Sequence, residues 1–239
     1  KDKNGEYMKI ILVIPTLKQG GAERVISELA NNFAIMGHDV NIILLAKAEQ
    51  FYKVNENVKI HELNFSSSNK YTKLFKEFSI LFQLRKLIIN IDPNFTISFM
   101  TKYNILTLIA SLLTNNRVFV SDRSNPKENL PLGLKYGRKM LYKFAEGIIA
   151  QTELAKDIAY KETKNTNIQI IPNPIKDISI DTNLKKENII LNIGRLVPEK
   201  GQIHLLNSFA SIKNDNWKII ILGEGPLLKK KKKHAVLLN

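Results

Sequence analysis

Arg195 and Lys200 bracket a turn, GRLVPEKG at residues 194–201, between an apolar stretch (NIILNI, 188–193) and a run with helical spacing. Two fixed cations at the carboxyl end of a strand and the entry of a helix suit an anion with several charged oxygens. A diphosphate fits best, because charge-assisted hydrogen bonds and free helix-end amides act on it together. Two solvated loop charges are the common alternative fate of Arg and Lys. A second glycine turn, Gly20-Gly21, separates the first apolar run from the first amphipathic stretch. Without a Cβ the backbone can approach a ligand closely, and the next helix aims its first amides at an anion. A tight turn chosen for packing is an equal reading, since this is not the G-x-G-x-x-G dinucleotide pattern.

These turns need a scaffold. KIILVIP (9–15) is continuously apolar, as a strand covered on both faces requires. Ala22, Val25, Ile26, Leu29, Ala30 and Phe33 then recur at helical spacing, Gly37 stops that helix, and DVNIILL (39–45) reads as the next strand. Strand–helix–strand implies a parallel pair. The alternation continues through strands at 59–63, 95–100, 118–121, 147–151 and 168–171 and helices near 71–89, 103–114, 133–145 and 153–163. Such alternation predicts an α/β fold, a doubly wound parallel sheet. At 172–187 two prolines and polar residues break the periodicity, as in a domain linker. A strand at 188–194, a helix near 201–213, a strand at 217–223 and the turn GEGP (223–226) then begin a second unit. The domains expected are 1–173, a linker at 174–187, and a partial second domain at 188–239.

The chain has 239 residues, 44% of them hydrophobic, enough for one large core or two modest ones. It has no cysteine, which excludes disulfides and thiolate metal sites, and His61, His204 and His234 are scattered and do not pair at metal-ligand spacing. No metal site and no cofactor are expected. The net charge is +14, and residues 229–233 are five consecutive lysines. No base-stacking aromatic motif accompanies that charge, so nucleic acid is not the expected partner. No run approaches the ~18 apolar residues of a membrane span. The expectation is a cytoplasmic protein, with Met8 as its natural start.

IPTLKQGGAERV (14–25), GHDV (37–40), IPNPI (171–175), NIGRLVPEKG (192–201) and GEGP (223–226) fall in the order and at the spacing of one family. With them the sequence resembles the retaining GT-B glycosyltransferases of family 4. The resemblance implies two Rossmann-like domains: an acceptor-side first domain and a second that binds a nucleotide sugar. Arg195 and Lys200 resemble the catalytic pair that grips the donor diphosphate. Gly20, Gly21, Gly194, Gly223, Glu224 and Gly225 resemble the donor-binding turns. The implied reaction moves a sugar from a nucleotide sugar, a UDP-sugar first among them, to a hydroxyl with retention. No Asp-x-Asp pair stands ready for a metal.

The chain departs from the family's pattern in two places. Where the family often has an acceptor-facing histidine, this chain reads SDRSNP (121–126), placing Arg123 and Asn125 as acceptor-binding residues. Arginine grips phosphate or hydroxyls rather than acting as a base. SDRSNP resembles a subgroup building bacterial surface polysaccharides or lipid-linked glycans, which implies a glycan or polyprenyl-linked acceptor; a surface loop with Asn-Pro turn chemistry is the alternative. The family's paired glutamates, which contact the donor sugar, have no counterpart before the lysine run. The expectation is a C-terminally truncated chain, with 229–239 foreign to the fold. A fragment that only binds nucleotide or glycan is the rival reading.

An anionic membrane surface is a further candidate partner, on the inner face of the cell membrane. Residues 71–89 combine Lys73, Lys76, Arg85 and Lys86 with Leu74, Phe75, Phe78, Leu81 and Phe82. A second basic helix carries Lys135, Arg138, Lys139 and Lys143. Such helices lie on anionic lipid, or simply cover the sheet.

Overall fold

The computed structural model describes residues 7–63, 70–175, 187–212 and 216–228, with α2 side chains from Glu77 onward. The chain divides into two compact units, Lys1–Lys176 and Asp177–Asn239. Most of the expected linker and the lysine run at 229–233 lie outside the described residues.

The first unit is a seven-stranded parallel sheet in the order β3-β2-β1-β4-β5-β6-β7. Its strands are β1 (Lys9–Ile14), β2 (Asp39–Leu44), β3 (Lys59–Glu62), β4 (Phe95–Phe99), β5 (Arg117–Ser121), β6 (Gly147–Ala150) and β7 (Ile168–Ile170). Helices α1 (Gly21–Ile35), α2 (Lys70–Ile91), α3 (Thr101–Ala110), α4 (Leu132–Leu141) and α5 (Glu153–Thr163) connect them. β1 shows why its sequence is unbroken apolar. Ile10, Leu12 and Ile14 pack with Val25, Ile26 and Ala30 of α1, while Ile11 and Val13 point to the other face, with Ile80, Leu84 and Ile88 of α2. Period-2 alternation thus serves two buried faces at once. A third cluster, with Val118, Val120, Ile148 and Tyr142, seals the sheet under α4 and α5.

Helix ends follow local chemistry. Thr152 caps α5 by accepting from the Ala155 amide at 3.2 Å, and Lys164 ends it in the left-handed region. Gly37, at φ +87, makes the turn from α1 into β2, and the Met8 amide donates to His38 Nδ1 at 3.2 Å. The GHDV motif is therefore structural. The helix expected at 133–145 ends at Leu141 and continues as a 3₁₀ turn, Tyr142–Phe144.

Among its described residues the second unit has β8 (Ile189–Ile193), α6 (Gln202–Ile212) and β9 (Lys218–Leu222), with β8 parallel to β9. Leu191, Ile193, Ile220 and Leu222 are exposed on these strands.

Candidate active site

In open α/β sheets, ligands bind beyond the carboxyl ends of the strands, where strand order reverses. Here that point lies between β1 and β4. Gly20-Gly21 follows β1, and Gly20 stands before α1 with no side-chain cap. A Cβ on Gly21 would meet nothing within 4 Å, so the position opens onto free space. Gly20 is different: a Cβ there would overlap the Glu23 carboxylate, which folds back beside the helix start. Tyr52 Oη donates to the Gly20 carbonyl at 2.9 Å and steadies the turn. Beyond β4, Met100 holds φ +71, a conformation that costs a non-glycine residue energy and collects at functional edges.

Arg123 follows β5. Its Nη1 donates to Asn173 Oδ1 at 2.5 Å, and its guanidinium carbon lies 4.6 Å from the Phe99 ring centroid. Its Nε is buried without a partner. Among the described residues no carboxylate pairs with it. Burial lowers the Arg123 pKa to about 10. The neighbouring backbone is held too, since Arg24 Nη2 donates to the Pro174 carbonyl at 2.7 Å. The 171–175 segment thus joins α1 to the loop after β5. Neither Asn173 nor Arg24 stands out by residue type or spacing, although Arg24 lies in IPTLKQGGAERV and Asn173 in IPNPI.

Asn125 stands apart from Arg123. Its side chain accepts from the Lys127 amide at 3.0 Å, as Asx turns do, and it lines a cavity of about 460 Å³ between the 124–130 loop, α4 and α5. Lys127, Lys135, Asp122, Arg138 and Glu162 also line it. Of the two proposed acceptor residues, then, only Asn125 lies in this cavity.

A polar network without a sequence precedent lies beneath it. Asp122 accepts from Thr101 Oγ1 at 2.9 Å, Asn104 Nδ2 at 3.1 Å, Tyr142 Oη at 2.7 Å and Arg138 Nε at 3.0 Å. Arg138 also pairs with Glu162. Burial, and then Asp122, push the Tyr142 hydroxyl well above the ordinary tyrosine range. Arg138 is therefore a buried structural cation and not a lipid-facing one. Arg85 of α2 is likewise engaged: its Nη1 donates to the carbonyls of Ala110 (2.9 Å) and Leu112 (2.6 Å) at the end of α3. The spacing of Arg138 and Arg85 resembles that of any basic helix, so only their partners reveal these roles.

In the second unit the two glycine turns run side by side. The Gly194 amide donates to the Leu222 carbonyl at 2.9 Å, and the Leu196 amide to the Glu224 carbonyl at 2.7 Å. The approach is so close that a Cβ on Gly223 would overlap the Gly194 carbonyl oxygen, and one on Gly225 would stand 2.6 Å from the Leu196 oxygen. Gly194, Arg195, Gly223, Glu224 and Gly225 are thereby brought together. Lys200 joins them, its Cδ 4.0 Å from the Cβ position of Gly194. Gln202 Nε2 donates to the Arg195 carbonyl at 3.2 Å, and Gly201 turns at φ +63 from a 3₁₀ turn at Pro198–Lys200 into α6. Arg195 and Lys200 are both exposed.

The fold is that of the GT-B glycosyltransferases. HepE of Anabaena, solved with UDP, superposes at a TM-score of 0.75 with 15% identity, over 97% of this chain and 66% of that one. Residues 19–177 match the sequence profile described as Glycosyltransferase Family 4, and residues 175–239 match Glycosyl transferases group 1. The chain belongs to glycosyltransferase family 4. It is 32% identical over 227 residues to a Campylobacter jejuni enzyme, GalNAc-alpha-(1->4)-GalNAc-alpha-(1->3)-diNAcBac-PP-undecaprenol alpha-1,4-N-acetyl-D-galactosaminyltransferase, covering 92% of this chain and 62% of that protein. It is 26% identical to the amylovoran biosynthesis glycosyltransferase AmsD of Erwinia amylovora, covering 95% of this chain and 66% of that protein. The chain thus spans less than two thirds of these relatives' lengths. Among the described residues no helix is long and apolar enough to cross a membrane.

Proposed function

We propose that this chain carries donor- and acceptor-side parts of a retaining glycosyltransferase of bacterial polysaccharide or lipid-linked glycan synthesis. The donor is a nucleotide sugar, a UDP-sugar first, and the acceptor a hydroxyl of a glycan or polyprenyl-linked glycan. The observation that carries the reading is the pairing of Gly194–Leu196 with Gly223–Gly225, with Lys200 running past Gly194 and Arg195 beside it. Only glycines allow that approach, and it collects two cations and open backbone at the strand ends. As the glycosidic bond lengthens, negative charge builds on the leaving diphosphate. Arg195 and Lys200, already in place, interact with it more strongly than with the ground state. Gly21 offers open backbone for a phosphate near the start of α1, and Arg123 and Asn125 are the acceptor-side contacts. The HepE complex with UDP and the undecaprenol-linked substrate named for the Campylobacter enzyme support the substrate classes. A lipid-linked acceptor makes the protein peripheral to the inner membrane face.

Calorimetry with UDP, followed by NMR of the product anomer formed from a UDP-sugar and an undecaprenyl-diphosphate glycan, tests the reading. Saturable UDP binding and an anomer matching the donor's are expected. Binding without transfer is the outcome of the rival reading, a chain that only holds nucleotide. An inverted anomer, or no UDP binding at millimolar concentration, sinks the proposal.

A further inference from the structure

Helix α4 turns apolar residues away from the sheet. Leu132, Tyr136 and Met140 recur at every fourth position, and Phe144 prolongs the row onto the 3₁₀ turn. They are 72%, 62%, 63% and 64% exposed. The helix cannot roll to bury them, because its inner side is fixed at two places. A Cβ on Gly137 would stand 3.0 Å from Ile105 Cδ1 of α3, and Arg138 is locked into its ion pairs with Asp122 and Glu162. A lysine precedes each of the last three apolar residues: Lys135, Lys139 and Lys143, all exposed. The Lys143 ammonium lies 5.0 Å from the Phe144 ring centroid. α4 contains no acidic residue. The row is about 18 Å long at 1.5 Å per residue.

We propose that this face of α4 is the surface by which the protein lies on an anionic lipid bilayer. The proposal rests on the reading of a lipid-linked acceptor and adds where the membrane sits. Apolar side chains framed by lysines suit acyl chains below and anionic headgroups around them. A second copy of the chain is a poor occupant, because a two-fold pairing of stripe on stripe would bring both sets of lysines together with no carboxylate on either helix. The stripe also meets the cavity: Leu132 and Lys135 line it together with Asn125 and Lys127. A bilayer against α4 therefore places the cavity mouth at headgroup level, where the polar part of a lipid-linked acceptor lies. Among the described α2 side chains Phe78, Phe82 and Ile89 are also exposed, but Glu77 beside them carries a carboxylate paired with Lys102, and Arg85 is engaged with α3.

The absence of cysteine makes a single-label experiment direct. The full chain is labelled with an environment-sensitive fluorophore at Tyr136→Cys, at Phe82→Cys, or at Asn32→Cys on α1, which packs on the opposite sheet face. Vesicles of phosphatidylcholine with and without phosphatidylglycerol are added. The residue-136 label should blue-shift and brighten at least about twofold with anionic vesicles only, as interfacial insertion requires. The residue-32 label should not respond, and Lys135, Lys139 and Lys143 changed together to Glu should abolish the residue-136 signal. A site-specific signal is needed because the lysines at 229–233 could tether any version of the chain. If the chain sediments with anionic vesicles and only the residue-82 label responds, the α4 surface is wrong while the membrane reading stands. If no version sediments, both fail. A residue-136 response to protein concentration without lipid identifies a second copy as the occupant and overturns the proposal.

Discussion

Arg123 and Asn173 lie fifty residues apart in sequence, yet Arg123 Nη1 meets Asn173 Oδ1 at 2.5 Å. The contact ties the loop after β5 to the segment after β7 at the carboxyl edge of the sheet. It leaves a half-buried guanidinium with an unpartnered Nε, stacked on Phe99. Such a charge costs stability unless something else holds it. Arg123→Met should leave the unit equally stable or raise its stability by up to ~1 kcal/mol, in the direction seen when half-satisfied ionic groups are replaced by apolar ones. Acceptor use should fall all the same. The pH dependence has a definite sign. With the pKa lowered to about 10, the folded state binds this proton more weakly than the unfolded chain does. The cost is full below about pH 10 and is relieved as pH rises from there toward the ordinary arginine value. Urea titrations of both proteins at neutral pH and above pH 10 measure it; a large loss of stability in Arg123→Met at neutral pH would falsify the assignment.

Arg195 and Lys200 should act on the nucleotide and not on the fold, because both are exposed. Lys200→Ala or Arg195→Ala should weaken UDP binding by roughly 1–3 kcal/mol, the scale of a charge-assisted hydrogen bond, with little change in melting temperature. Calorimetry against UDP and uridine separates the contributions: uridine affinity should be unchanged, since it has no phosphate. Equal UDP affinity in both variants and in the parent removes the diphosphate role.

The strand and helix order was legible in the sequence because burial on both faces of β1 forces an unbroken apolar run, and α1 must show helical spacing to cover it. The glycine turns were legible as well: Gly223 and Gly225 are where a side chain has no room. What stayed hidden depends on long-range partners. Nothing local distinguishes Arg138, locked between Asp122 and Glu162, from Lys139 beside it in solvent. Nor does spacing say that Arg123 reaches Asn173 while Asn125 lines the cavity. Period and propensity report a residue's face; they do not report which other element packs against that face.

Gly21 and Gly223 give opposite predictions from the same substitution. A Cβ on Gly21 meets nothing, and α1 begins there, so Gly21→Ala should hold or raise stability by up to ~1 kcal/mol. Donor use should still fall if a phosphate approaches that backbone closely. Gly223→Ala sets a methyl group against the Gly194 carbonyl oxygen, a backbone atom that cannot step aside. It should unpair the two turns, remove UDP binding and expose the amides of Gly194 and Leu196 to hydrogen exchange. Parallel exchange and activity measurements decide: a Gly21→Ala protein with unaltered kinetics makes that glycine a packing turn only.

The Asp122 network should carry a large share of the first unit's stability. Arg138→Met strips Asp122 of its cationic partner while the carboxylate stays part-buried beneath the loop, held by the hydroxyls of Thr101 and Tyr142 and the amide of Asn104. Breaking a buried pair from one side costs about 3–5 kcal/mol, so the melting temperature should fall by roughly 10 °C. Tyr142→Phe is milder, about 1–3 kcal/mol for a buried partner left unsatisfied. It also has a pH signature. The folded state keeps the Tyr142 proton above the ordinary tyrosine value, whereas the unfolded chain gives it up near pH 10. The stability this group contributes is fully present below that pH and declines as pH rises toward the folded value. Denaturant unfolding at pH 8 and pH 10.5 should therefore show the parent losing more stability than Tyr142→Phe over that interval. Parallel losses in the two proteins would mean that Tyr142 does not hold its proton against the carboxylate, and that the network is no tighter than its exposed rim at Glu162.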